Sequence, residues 1–209
     1  PEITSLMWYA LRSVGLPVNY DYIIQWANRS QSHSWNSLWV DSVLYSFGMS
    51  DPEFGKHFES RPQERVGKVY RKMFSFQPQS LPNQRGALAE GIPPPFRSPF
   101  IKDVSESYFD GIDLVLKLTI PIAAPKKFAY LVVFDNRNWV PVAWSRIKRG
   151  RVAFDHVEKG CAYMVMYYDR GLLLPATDPF TVSKEGGVAV RKPDGAEVSV
   201  TLKRKYPVF

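Results

Sequence analysis

The chain has 209 residues, 45% of them hydrophobic and 14% aromatic, so it can bury a sizeable core as one large domain or two small ones. The formal net charge is +7, but the basic residues are spread out, with local density only at Arg146-Ile147-Lys148-Arg149-Gly150-Arg151 and Lys203-Arg204-Lys205. No zinc-finger, RNP or helix-turn-helix signature accompanies them, so nucleic acid is not an expected partner. A single cysteine, Cys161, excludes an intrachain disulfide and argues against a zinc cage, and no apolar run is long enough to span a bilayer.

Ile3, Leu6, Met7, Ala10, Leu11 and Val14 recur at helical spacing and predict a helix over Pro1–Val14 with one buried stripe. Pro1 suits the first helical position, Glu2 complements the positive end of the dipole, and Gly15 with Pro17 stops the helix. No basic-then-apolar leader precedes it. Val18–Ile24 reads as a strand, Trp26–Ser30 as a turn, and Ser34–Val43 as a second strand, with a further short strand at Val43–Phe47. Gly48, Asp51-Pro52-Glu53 and Gly55 mark a turn-rich segment. Val66, Val69, Tyr70, Met73 and Phe74 fit a helix or a strand.

From Gln77 to Ser105 the composition changes. Pro78, Pro82, Pro93, Pro94, Pro95 and Pro99 cannot sit inside regular elements, while Ile92, Phe96, Phe100 and Ile101 supply apolar anchors for an ordered connector. From Ser107 onward, short apolar runs alternate with turns such as Asp135-Asn136, Arg149-Gly150 and Asp169-Arg170-Gly171, the pattern of a β-sandwich; the last expected strand is Val198–Leu202. The expected division is residues 1–76, a Pro-rich connector over 77–106, and a sandwich over 107–209.

The first fifth carries the motifs with chemical content. Arg12-Ser13-Val14-Gly15-Leu16-Pro17-Val18 closes the helix, and His33-Ser34-Trp35-Asn36 follows the turn at Trp26-Ala27-Asn28-Arg29. This order resembles the transglutaminase-like branch of the papain-type cysteine enzymes. The resemblance implies an α+β fold, a partial transglutaminase-like core (helix then antiparallel strands) followed by an all-β sandwich. It implies a Cys-His-Asp triad attacking peptide-type amides, with His33 as general base and Asp51 as the acidic member, Asp41 being the alternative. The nucleophilic cysteine falls just before Pro1, outside the chain. A cysteine at that helix end would have its thiolate favoured by free N–H groups and the dipole. The polypeptide thus reads as a fragment of a cysteine peptidase or amidase, inactive alone, with hydrolysis favoured over crosslinking. Its expected partners are a peptide or peptidoglycan-type amide and the missing part of its own protein, with no cofactor. Trp26, Trp35 and Asn36 are the expected substrate-binding residues. Each has a plainer reading: a histidine bonded beside a buried tryptophan, a simple Asp-Pro turn, aromatic core. Gln25 is the side chain expected to support an oxyanion.

Asp103–Tyr108, Asn138–Trp144 and Leu174-Pro175-Ala176 with Pro179-Phe180 resemble the companion domain that follows such cores in exported bacterial proteins, which implies a periplasmic or cell-surface location. Cys161, at the start of a probable strand, reads as buried and inert; His57 and His156 lack the motif context of His33, and Glu106, Asp110 and Asp113 lack the loop of a calcium site. The competing function is a non-catalytic glycan- or protein-binding module using Trp139, Trp144, Tyr163, Tyr167 and Tyr168.

Overall fold

The first helix, α1, spans Glu2–Ser13 with Pro1 as its N-cap, one position earlier in the capping frame than expected; the Pro1 carbonyl accepts the Ser5 N–H at 2.9 Å. The computed structural model describes residues 1–49, 54–55, 57–58 and 63–192. The buried face of α1 differs from the expected stripe. Thr4 and Trp8 are buried, with Met7 and Leu11 packed beside Trp8, whereas Ile3, Leu6 and Val14 are exposed. Trp8 supplies the largest apolar surface on the helix, and polar contacts of Thr4 fix the face that docks.

That face lies on a five-stranded antiparallel sheet built from β1 (Asn19–Ile23), β2 (His33–Val40), β3 (Val43–Phe47), β4 (Tyr70–Lys72) and β5 (Ile101–Asp103), in the order β3-β2-β1-β4-β5. The Thr4 hydroxyl bonds the Ser34 carbonyl at 3.2 Å, and the Asn36 amide donates to the Thr4 carbonyl at 3.2 Å and the Asn19 carbonyl at 3.1 Å. The single strand expected over 34–43 is broken at Asp41-Ser42, whose φ values of 47° and 66° make the tight hairpin turn that suits strand twist. The ambiguous segment 66–74 contains a strand, because Tyr70 pairs with Tyr22 on one side and Asp103 on the other.

The second half forms β6 (Gly111–Lys117), β7 (Phe128–Asp135), β8 (Asn138–Arg146), β9 (Arg151–Glu158), β10 (Cys161–Asp169), β11 (Leu172–Pro175), β12 (Phe180–Val182) and β13 (Val188–Val190). One sheet runs β13-β12-β10-β7-β8, with β11 also pairing with β10; β6 and β9 form a separate ribbon. The expected strand at 198–202 lies outside the described residues. Leu131, Val133, Tyr163, Val165 and Tyr167 of β7 and β10 join a core with Val152, Phe154 and Val157 of β9. Their alternate neighbours Tyr130, Val132, Met164 and Met166 pack instead against Leu81, Ala87, Ile92 and Phe96 of the Pro-rich segment. Both faces of β7 and β10 are therefore covered, which is why these strands read as continuous apolar runs. The Pro-rich segment holds α2 (Ala87–Glu90), short 3₁₀ turns and β5. Phe100, an expected anchor, is exposed.

The expected α+β class is overturned. Among the described residues 42% are in strands and 14% helical, the sheets are antiparallel, and α2 has only four residues. The fold is mostly β because the segments after α1 that could have been helical are held as strands and turns by pairing and proline. No helix among the described residues is long and apolar enough to cross a membrane.

Gly67 and Lys68 bind the first sheet to β9. The Gly67 N–H donates to Glu158 Oε2 at 2.6 Å; the buried Lys68 ammonium donates to the Asp155 carbonyl at 2.9 Å and pairs with Asp103 at 2.6 Å. Gly67 has φ of 68°, and a Cβ there would lie 3.3 Å from that of Ala27, so this approach favours glycine. Burial pushes the Glu158 carboxyl up to about 7 from 4.5, partly opposed by the Gly67 N–H. Below pH 4.5 the group is protonated in both states; as pH rises to about 7 the unfolded chain ionises first, so stability falls and stays lost above that pH. The predicted loss is about 3 kcal/mol. Urea unfolding of the native chain and Glu158→Gln at pH 5 and pH 8 should show this drop only in the native chain, since the amide oxygen still accepts from Gly67.

Candidate active site

His33 is the first residue of β2 and pairs with Ile23 of β1. It lines a cleft of about 310 Å³ together with Pro1 at the amino end of α1, Tyr20 and Tyr22 of β1, Ser34, and Lys72 of β4. The Thr4–Ser34 and Asn36–Thr4 bonds set α1 against β2 so that the helix begins beside this histidine. Lys72 reaches over the Tyr20 ring, 3.8 Å from its centre, and adds positive charge to the amino end of the helix.

Beneath the cleft lies a run of flat rings. The His33 and His57 rings are nearly parallel, at 4°, and meet edge to edge with their Nε2 atoms 2.9 Å apart. One of these nitrogens donates and the other accepts. Trp26 and Trp35 stack on His33 at 5.4 and 5.8 Å, and Trp35 also meets His57 at 5.6 Å. His33 is partly exposed, whereas His57 is buried.

A polar node holds this floor. The Trp35 indole N–H donates to the Tyr108 hydroxyl at 3.0 Å, and that hydroxyl donates to Asp21 Oδ2. Asp21 is fully buried on β1. It accepts the Ser37 hydroxyl at 2.6 Å and two Arg71 N–H groups at 2.7 Å each, a bidentate pair. Burial, reinforced by the Asp21 charge, pushes the Tyr108 phenol well up, so it remains a donor.

The expected site residues fall into separate places. Trp26, Trp35 and Asn36 are fully buried, so they support the floor and the docked helix and do not wall a substrate. Asp51 lies outside the described residues. Asp41 is in the hairpin turn at the opposite end of β2 from His33, roughly 25 Å away at about 3.3 Å per residue, and cannot orient the imidazole. The Gln25 amide donates to the Arg29 carbonyl at 2.6 Å, closing the turn and serving no oxyanion. Cys161 is buried at the start of β10, and burial pushes its thiol up to about 12. Tyr163 and Tyr167 are core residues, while Trp139, Trp144 and Tyr168 are only partly buried.

His57 is the residue that sequence reasoning passed over. It stands 24 positions from His33 in a turn-rich segment with no motif, and only the fold brings the rings together. Asp21 did leave a signal, a carboxylate between Tyr20 and Tyr22 in an apolar strand. Among the described residues no group of three or more His, Cys, Asp or Glu is placed to hold a metal ion. No family model matches the chain, and no curated protein or solved structure matches it.

Removing Asp21 strands the largely covered Arg71 guanidinium and two hydroxyl donors, so Asp21→Ala should lose about 3 kcal/mol of unfolding free energy. Tyr108→Phe leaves the Trp35 N–H without its acceptor and should cost about 1–3 kcal/mol. Denaturant melts of both variants measure this. In the folded chain Cys161 should remain unreactive to a disulfide reagent at pH 8 and react fully in denaturant.

Proposed function

We propose that the cleft between the amino end of α1 and His33 is a site of thiol–imidazole acyl transfer on peptide-type amides, in the transglutaminase-like manner, with the nucleophilic cysteine on the amino side of Pro1. The observation that carries this reading is the shared cleft: the start of a helix and a partly exposed histidine of a neighbouring strand face one open space. A thiol held there meets the positive end of the helix and the Lys72 ammonium, both of which favour the thiolate.

The chemistry follows from that placement. His33 takes the thiol proton, the sulfur attacks the amide carbonyl carbon, and the histidine returns the proton to the departing amine. Water then attacks the thioester with His33 again as base, releasing the acid and the thiol. With His57 as acceptor, His33 carries its proton on Nε2 and acts through Nδ1. His57 is thus the orienting group of the proposed site among the described residues, and Asp51 is the competing assignment from the sequence.

The test is the same chain extended by one cysteine before Pro1. Its alkylation rate against pH should give a thiol pKa at least one unit below the ordinary value of about 8.5. An activated peptide ester should acylate it, with His33→Ala slowing acylation about 100-fold or more. His57→Ala and Asp51→Ala, compared in the same assay, identify the orienting group by the larger loss. An ordinary thiol pKa, or acylation indifferent to His33→Ala, overturns the proposal.

A further inference from the structure

A second site lies beside β8 and β9, away from the histidine cleft. Trp144 of β8 is only partly buried and forms the ridge between two adjoining clefts of about 460 and 540 Å³, which also share Ala153 and Asp155. The smaller is lined by Arg146, Lys148 and Arg151 around the β8–β9 turn, where Lys148 bridges to Arg151. The larger carries Gln77, Gln79 and Lys102.

Folding engages only part of this charge: Arg146 lies over the Phe128 ring and donates to the Arg85 carbonyl. None of Arg146, Lys148 and Arg151 forms an ion pair with a carboxylate among the described residues. Lys117 stands directly opposite Arg151 across the β6–β9 ribbon, and both are exposed. Like charges directly opposite each other destabilise a sheet, so the cluster costs stability in the isolated protein. An anionic ligand removes that cost.

We infer that this groove binds an acidic polysaccharide, with a sugar ring against Trp144 and carboxylate or sulfate groups on Arg146, Lys148 and Arg151. Two adjoining clefts suit an extended chain of sugars and exceed the needs of a single one. The hydroxyl-bonding groups in the groove favour a glycan over a nucleic acid. Asp155 lines both clefts and would accept sugar hydroxyls, as would the Gln77 and Gln79 amides, and a sugar offers several hydroxyls per unit where a phosphate backbone offers few. A single aromatic ridge also offers no platform for successive stacked bases.

The test is titration of the full chain at low salt with hexasaccharides of polygalacturonate and of hyaluronan, with a neutral glucan hexasaccharide and a single-stranded oligonucleotide of similar length as comparators. An acidic hexasaccharide should bind at least tenfold tighter than both comparators, and its affinity should fall with added salt. The exposed double variant Lys148→Glu with Arg151→Glu should lose at least tenfold in affinity while unfolding at the same or a higher urea concentration, since Glu at 151 faces Lys117 with opposite charge. Trp144→Ala should lose at least fivefold; if it fails to fold, Trp144→Phe should lose at least twofold. Absence of binding by both acidic glycans, an unchanged affinity after charge reversal, or equal or tighter binding of the oligonucleotide overturns the inference.

Discussion

A carboxylate buried without water must be neutralised by its neighbours, and Asp21 imposes that requirement on the first half of the chain. It sits on β1, the middle strand of its sheet, and draws Ser37 from β2, Arg71 from β4 and Tyr108 from beyond β5 toward a single point. These partners are up to 87 residues apart in sequence. Apolar packing around Trp26, Trp35 and Val69 would tolerate small shifts of one strand against another. A bidentate Arg–carboxylate pair tolerates far less, so the node sets the lateral register on which the rings above depend.

The histidine cleft inherits its geometry from that node in two steps. Tyr108 joins Asp21 to the Trp35 indole, and Trp35 then supports His33 and His57 by stacking. Asn36, the next residue of the same strand, faces the other way and grips the helix through the Thr4 carbonyl. Alternation along one strand thus fixes both the histidine floor and the helix that opens the cleft.

The two halves are joined by polar contacts as well as by packing. Lys68 and Gly67 reach the carbonyls and carboxylate of β9, while the Pro-rich segment seals the far face of β7 and β10 with Leu81, Ile92 and Phe96. The price of this junction is the Glu158 carboxyl in a nearly dry place, where ionisation above about pH 7 costs stability. The basic turn between β8 and β9 lies on the rim of the same region, and its cations are a different case: Lys148 and Arg151 face solvent, and neither pairs with a carboxylate among the described residues.

Much of the local structure was legible in the sequence. Helical spacing and the Gly15-Leu16-Pro17 stop marked α1, and alternating apolar runs between turn residues located most strands of the second half, because these signals act within a few residues. What failed was whatever depended on a distant neighbour. The face of α1 that docks was set by Trp8, Thr4 and Ser34, so Ile3, Leu6 and Val14 remained outside despite their spacing. The helix-or-strand ambiguity at Tyr70 was settled by β1 and β5, and the fold class moved from α+β to mostly β for the same reason. His33 stood out by its motif, but His57 gained meaning only when the chain folded back on itself. Trp26, Trp35 and Asn36 were recognisable as special, and only the tertiary structure turned them from contact residues into buried supports. Local backbone preference is written in neighbouring residues; burial, charge compensation and the meeting of two imidazoles are properties of residues far apart in the chain.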